Sequence, residues 1–265
     1  MTEVIVREDR AGLHAAPAER SECADHPGAA WDIRTRGVWK MYGPLAALRG
    51  ISLSVAPGER LAIIGPNGSG KSTFLKVLAT LLRPSAGTAL LGGLDVRRDA
   101  AQLRRHIGVV SHHTFLYREL TAWENLAFYA RLYRFPDAAD RASFFLGFLG
   151  LEKQRDALAG DLSRGMLQRL SVARALLHEP AVLLLDEPDT GLDQRWSAFL
   201  TDLVANAARE GRTVVLTTHN LERSLDLSDR VAVINAGKMV FAASRDGLDA
   251  GSLRENYARF TGSTV

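Results

Sequence analysis

Gly65-Pro66-Asn67-Gly68-Ser69-Gly70-Lys71-Ser72 fits the pattern G-x-x-x-x-G-K-[ST], and what flanks it decides the fold. The apolar run Leu61-Ala62-Ile63-Ile64 precedes it and reads as a strand. After it, Phe74, Leu75, Val77, Leu78, Leu81 and Leu82 recur at spacings that turn one side of a helix toward a sheet. Glycines let the backbone close on an anion, and the N–H groups of the turn and of the helix N-terminus then point at it. Lys71 is placed to reach the β- and γ-phosphates of a nucleoside triphosphate and Ser72 to ligate Mg²⁺, with Thr73 beside them in the first helical turn. An ordinary glycine-rich turn is the competing reading, and the strand and helix on either side weigh against it.

A second segment, Leu183-Leu184-Leu185-Asp186-Glu187-Pro188, narrows the chemistry. Its apolar part reads as a buried parallel strand, and its acids stand at the C-terminal end, where ligands bind in open α/β sheets. Asp186 is placed to hold Mg²⁺, directly or through water, and Glu187 to polarise an attacking water. Taken alone, two acids after a strand read better as a helix N-cap pair. They are not alone: Leu162-Ser163-Arg164-Gly165-Met166 opens a helix upstream, and Gly191-Leu192-Asp193 follows downstream. Beyond these, the apolar strand Val214-Val215-Leu216 runs into Thr217-Thr218-His219.

Phosphate loop, Ser-x-Gly helix start, Asp-Glu strand and strand-end His, in that order, resemble the ATP-binding-cassette ATPases over about residues 34–245. Each motif is weak singly and specific in series. The resemblance implies an α/β fold: a RecA-like P-loop core with an antiparallel β-subdomain and an inserted helical subdomain. It implies ATP and Mg²⁺ as ligands, with Gly65, Pro66, Asn67, Gly68, Ser69, Gly70, Lys71, Ser72 and Thr73 around the phosphates. Tyr42, just ahead of Gly43, matches the aromatic on which the family stacks adenine, a contact worth ~1–3 kcal/mol that tolerates different bases. Ser163 and Gly165 match the signature loop that faces the γ-phosphate held by a second subunit, and Asp193 the loop that aligns the two. His219 matches the residue that bridges Glu187, the water and the γ-phosphate. A homodimer or heterodimer of ATPase subunits, seated on integral-membrane permease subunits at the cytoplasmic face of the membrane, is the implied assembly.

Two departures stand out. The signature loop carries Arg164 where glycine is usual and Met166 where glutamine is usual. In Ile107-Gly108-Val109-Val110-Ser111-His112-His113 the family's usual metal-side Gln is replaced, by our count at His112. That exchange, followed by Leu120-Thr121-Ala122 and Glu124-Asn125-Leu126, resembles the haem exporter ATPase of cytochrome c maturation. Either His112 or His113 can face the site, and two solvated loop histidines are the plainer reading. Haem export is thus the expected cargo reading, with drug or lipid export beside it. A soluble relative in translation or DNA repair is a third class, disfavoured because the chain has neither two cassettes nor a long coiled coil.

Composition is consistent with an intracellular ATPase. The chain has 265 residues, 46% of them hydrophobic, enough for one cored domain with an insertion. Cys23 is its one cysteine, so no intrachain disulfide forms. No apolar stretch approaches the roughly 20 residues of a membrane span. The formal charge is +3 and the pI about 9.2, but Lys and Arg are interspersed with nearly as many acids, which argues against nucleic acid as the partner. Residues 1–30 lack hydrophobic periodicity and read as a disordered arm or an over-long start, ahead of a cassette at 31–265. Residues 114–165 read as the helical subdomain. Its first helix opens at Thr121 with Glu124 at capping-box spacing, and it is apolar on two sides. Trp123, Leu126, Ala127 and Ala130 form one stripe; Phe128, Leu132 and Phe135 form the other, a candidate groove for a short helix of a membrane subunit.

Overall fold

Alternating apolar residues from Ile33 onward fold into a hairpin, β1 (Ile33–Tyr42) and β2 (Leu45–Val55), that turns at Gly43 and Pro44. The computed structural model describes residues 31–188 and 194–262; the N-terminal arm and Asp193 lie outside these. With β4 (Ala86–Leu91) and β5 (Leu94–Asp95) the hairpin makes an antiparallel sheet in the order β2-β1-β4-β5. The second sheet runs β10-β9-β3-β8-β7-β6. In it β3 (Arg60–Ile64), β6 (Ile107–Val110), β7 (Val182–Asp186), β8 (Thr213–Thr217) and β9 (Arg230–Asn235) are mutually parallel. β10 (Lys238–Ser244) returns antiparallel through the turn at Ala236 and Gly237.

Every residue of β7 and β8 is buried, because cover on both faces leaves no side for polar residues. Successive side chains therefore enter different cores. Leu61 and Ile63 of β3 join the β-layer and α1 (Lys71–Leu78), whereas Ala62 and Ile64 join the larger cluster on the opposite face. That cluster gathers α5 (Arg164–Leu176), α6 (Gln194–Arg209), α7 (Leu221–Leu227) and α8 (Ala250–Thr261). This is a RecA-like α/β core with an added antiparallel β-layer. Among the described residues no helix is long and apolar enough to cross a membrane.

After a short α2 (Ala100–Leu103) and β6, the chain leaves the sheet for α3 (Ala122–Leu132) and α4 (Ala138–Phe148) before returning through α5. The capping box of α3 is complete: Thr121 Oγ1 accepts the Glu124 N–H at 3.1 Å and Glu124 Oε2 accepts the Thr121 N–H at 2.8 Å. Asn125, fully buried, accepts the Tyr117 N–H at 2.8 Å and donates to the Tyr117 and Thr121 carbonyls at 2.9 Å. It thereby fastens the loop after β6 to the helix. Leu126, Ala127 and Ala130 face the core as their spacing requires. The second stripe is not continuous. Phe128 and Leu132 are exposed, whereas Phe135 is buried with the Arg141 guanidinium 3.9 Å over its ring.

His178, just past α5, clamps this helical layer to the sheet. Its ring stacks on Tyr133 at 4.1 Å with an interplanar angle of 3°, and its Nε2 lies 3.1 Å from the Ile107 carbonyl, so the bonded tautomer carries its proton on Nε2. Burial pushes its pKa from 6.5 to about 3. The folded protein thus keeps His178 neutral while the unfolded chain protonates it below pH 6.5, so its contribution is intact above that pH and lost as pH falls toward 3. In urea unfolding measured across that window, His178→Gln should flatten the acid limb by up to about 1.4 kcal/mol per pH unit. An unchanged slope would remove His178 from the acid sensitivity of the fold.

Candidate functional site

The phosphate loop is wedged between two strands' turns. Gly70 has φ 110°, and a Cβ on it would stand 2.6 Å from the Ala47 carbonyl of β2. A Cβ on Gly65 would stand 2.1 Å from the Ile234 carbonyl of β9. No other residue type fits either position, which is why the loop needs glycine at both ends. The Gly237 N–H donates to the Ser69 carbonyl at 2.8 Å, tying the loop to the β9–β10 turn. Asn67 and Gly68 form its exposed crown, with Pro66 half-buried and Ser69 buried.

α1 starts directly at Lys71, and no side chain caps it. The N–H groups of Lys71, Ser72 and Thr73 have no acceptor within the helix and carry its positive dipole end, an arrangement suited to an anion. Lys71 Nζ folds back across the loop, donating to the Gly65 carbonyl at 2.7 Å and the Pro66 carbonyl at 3.1 Å. Burial pushes its ammonium below the usual lysine value, while Glu187 and Asp186 pull it back up. A phosphate fits this cradle because it can replace both carbonyls as the ammonium's partner.

β7 delivers Asp186, buried, beside the loop: its Oδ1 accepts from Ser72 Oγ at 3.0 Å and from Thr217 Oγ1 at 2.7 Å. Adjacent strand residues point to opposite faces. The next residue escapes that alternation because Glu187 takes a left-handed φ of 48°, a conformation costing roughly 1–2 kcal/mol for a residue with a Cβ. Its N–H is held by the Thr217 carbonyl at 3.1 Å and the Thr217 hydroxyl at 3.0 Å. Glu187 Oε2 lies 3.7 Å from His219 Nδ1, and the His219 side chain is exposed. Thr218 sets the turn that presents His219, its N–H donating to the Ile63 carbonyl at 3.2 Å and its hydroxyl accepting the Asn220 N–H at 3.1 Å. Asn220 in turn caps α7.

Lys71, Ser72, Asp186, Glu187 and His219 therefore meet at the C-terminal ends of β3, β7 and β8. Ser163 stands elsewhere. It caps α5, accepting the Met166 N–H at 3.3 Å, and among the described residues no hydrogen bond links Ser163 or Gly165 to the phosphate loop. Tyr42 lies at the tip of the β1–β2 hairpin, close to half exposed, with the Lys40 ammonium 5.3 Å from its ring centre. His112 and His113 are both exposed after β6, and the Ser111 hydroxyl donates to the His113 carbonyl at 2.8 Å. Thr217 is the site residue that sequence reasoning passed over. Its signal was a hydroxyl directly after the apolar run Val214–Leu216.

No group of three or more His, Cys, Asp or Glu able to hold a metal occurs among the described residues. The hydroxyl of Ser72 and the carboxylate of Asp186, already in contact, are hard oxygen donors of the kind Mg²⁺ takes one or two at a time, the remaining positions being filled by phosphate oxygens and water. The residues present fit that ion together with a nucleotide.

Residues 48–190 match the ABC transporter family. Over 220 residues the chain is 40% identical to the daunorubicin resistance ATP-binding protein DrrA3 of Streptomyces coeruleorubidus, covering 82% of this chain and 70% of that one. It is also 40% identical over 210 residues to the Nod factor export ATP-binding protein I of Burkholderia orbicola, covering 78% and 69%. Among solved structures it is similar to a dimeric ATP-binding cassette in a post-hydrolysis state bound to ADP and Pi. That likeness has a TM-score of 0.76 at 28% identity over 82% of this chain and all of that one. With these likenesses laid over a convergent phosphate loop, carboxylate pair and histidine, the protein belongs to the ABC transporter family, as an ATP-binding subunit whose ATP hydrolysis is coupled to transport.

Proposed function

We propose that this chain powers export of a drug-like or lipid-like cargo, acting as a head-to-tail pair beneath membrane-embedded partner subunits. The observation that carries the pairing is the separation of Ser163 and Gly165 from the phosphate loop of the same chain. A helix N-terminus with an exposed cap and no acid in its first turn is an anion-facing end. In the pair it closes over the γ-phosphate held by the other copy, with Asp193 aligning the two and Tyr42 stacking on the base. The similarity to a dimeric cassette supports this arrangement.

The cargo reading leans on relatives named for daunorubicin resistance and Nod factor export. Haem export rests on His112, an exposed imidazole, and on the Leu120–Leu126 run after it, and the relatives above are named for other cargoes. Export of a drug or lipid is therefore the better-supported reading.

Lys71 and the N–H groups of the loop hold the β- and γ-phosphates. Ser72 and Asp186, with His112 on the metal side, would hold Mg²⁺, which would supply positive charge beside the transferred phosphoryl group. Glu187 takes the proton of the attacking water as its oxygen bonds to the γ-phosphorus and the β–γ bridging oxygen departs with ADP. His219, 3.7 Å from that carboxylate, keeps it aimed and donates to a γ-phosphate oxygen. Glu187→Gln should bind Mg-ATP without hydrolysing it and accumulate as a dimer that disperses when ATP is removed, read by light scattering. A variant that stays monomeric at saturating ATP, or hydrolyses at the wild-type rate, contradicts the assignment.

Phe128 and Leu132, exposed on α3, continue into Tyr117, whose ring meets Phe128 edge-on at 5.1 Å. We assign this apolar surface to a short helix of the membrane partner. Phe128→Ser with Leu132→Ser should leave nucleotide binding intact and stability within about 0.5 kcal/mol, as befits exposed positions, and should release the protein from the membrane fraction. Membrane association retained by the stable double variant rules the assignment out.

A further inference from the structure

Thr217 ends β8 fully buried, opposite Asp186 in the parallel register of β7 and β8. Its hydroxyl touches both acids of the site, accepting the Glu187 N–H at 3.0 Å and contacting Asp186 Oδ1 at 2.7 Å. A hydroxyl has a single hydrogen. Since the Glu187 N–H already uses the oxygen as acceptor, that hydrogen is committed to the carboxylate, which can only accept. The direction of the chain is fixed: Glu187 N–H to Thr217 Oγ1, and Thr217 O–H to Asp186. Ser72 donates to the same carboxylate oxygen at 3.0 Å, but Ser72 lies in the first turn of α1 within the phosphate cradle, where a bound ion or phosphate would compete for its hydroxyl. Thr217 is sealed behind the acids with no exposed surface, so its bond persists whatever the front of the site holds.

We propose that Thr217 is a positioning residue for hydrolysis: its buried hydroxyl fixes the rotation of the Asp186 carboxylate toward the metal and holds the left-handed turn that aims Glu187 at the water. This rests on the roles given to Asp186 and Glu187 under the proposed function. One hydroxyl thereby sets two acids whose jobs differ, one through its side chain and one through its backbone. Burying a hydroxyl at the end of the apolar run Val214–Leu216 is unfavourable unless it both donates and accepts, and here both bonds go to the site.

Thr217→Val keeps the volume and the branched strand side chain and removes only the hydroxyl. The Glu187 N–H retains the Thr217 carbonyl at 3.1 Å, so the fold has no orphaned donor to penalise. Binding of a fluorescent ATP analogue to the full chain, titrated with Mg²⁺ and repeated in EDTA, separates positioning from general damage. Thr217→Val should raise the Mg²⁺ needed for half-maximal binding about ten- to hundredfold and lower kcat similarly, as outer-shell partners of a metal site do. Binding in EDTA should be unchanged, and Thr217→Ser should restore both properties. Equal loss with and without Mg²⁺, wild-type behaviour of Thr217→Val, or failure of Thr217→Ser to rescue each overturns the proposal. Asp186→Asn serves as the reference. If it shifts the Mg²⁺ dependence while Thr217→Val does not, only the positioning role falls; if it shifts nothing, the metal-side reading of Asp186 falls with it.

Discussion

One carboxylate oxygen, Asp186 Oδ1, draws the ends of three elements into a single centre. It ends β7 and receives hydrogen bonds from Ser72 in the first turn of α1 and from Thr217 at the end of the neighbouring strand β8. A buried carboxylate is tolerated only when its lone pairs are met, so the three segments hold one another in place by that requirement. The phosphate loop then has little freedom left. Gly65 and Gly70 pack against backbone carbonyls of β9 and β2, and Lys71 lies over the loop's own carbonyls, so the chain's own contacts set the shape of the cradle. Preorganised donors of this kind need no rearrangement when charge develops on the phosphoryl group.

The same geometry makes one chain insufficient for the proposed reaction. Donors at the N-terminus of α1 would face one side of a triphosphate, and the helix end presented by Ser163 belongs to α5, whose main partners are β6, α3 and α4. On the proposed reading the two halves meet only between copies. The helical layer that carries Ser163 is clamped to the sheet through His178 and fastened to the loop after β6 through Asn125. On the proposed reading, force applied at the exposed Phe128 and Leu132 surface would pass to α5, which α3 contacts.

Much of this was legible in the sequence, and the exceptions have physical causes. The strand, glycine loop and helix start at residues 61–78 are local in sequence, as is the Thr121–Glu124 capping box, so spacing alone exposes them; the helix stops at Leu78, short of the expected Leu81 and Leu82, and Leu81 is exposed. Thr217 escaped because its meaning lies in strand pairing: Asp186 is its neighbour only once β7 and β8 align. The apolar stripe on α3 was extrapolated one step too far. The helix ends at Leu132 and Arg134 turns the chain with φ 63°, so Phe135 no longer follows helical periodicity and drops into the core. His178 gave no periodic signal, since its stack on Tyr133 joins the ends of two helices far apart in the chain. Counting places His112 one residue past a buried Ser111 and says nothing of where its ring points.

On the proposed reading each catalytic site is shared between two copies. The direct measurement is ATP turnover per chain across a dilution series, with the mass of the species present followed by light scattering in the same solutions. The shared-site account predicts that turnover tracks the dimer fraction and vanishes as the protein becomes monomeric. Monomers that turn over ATP at the full per-chain rate would contradict it.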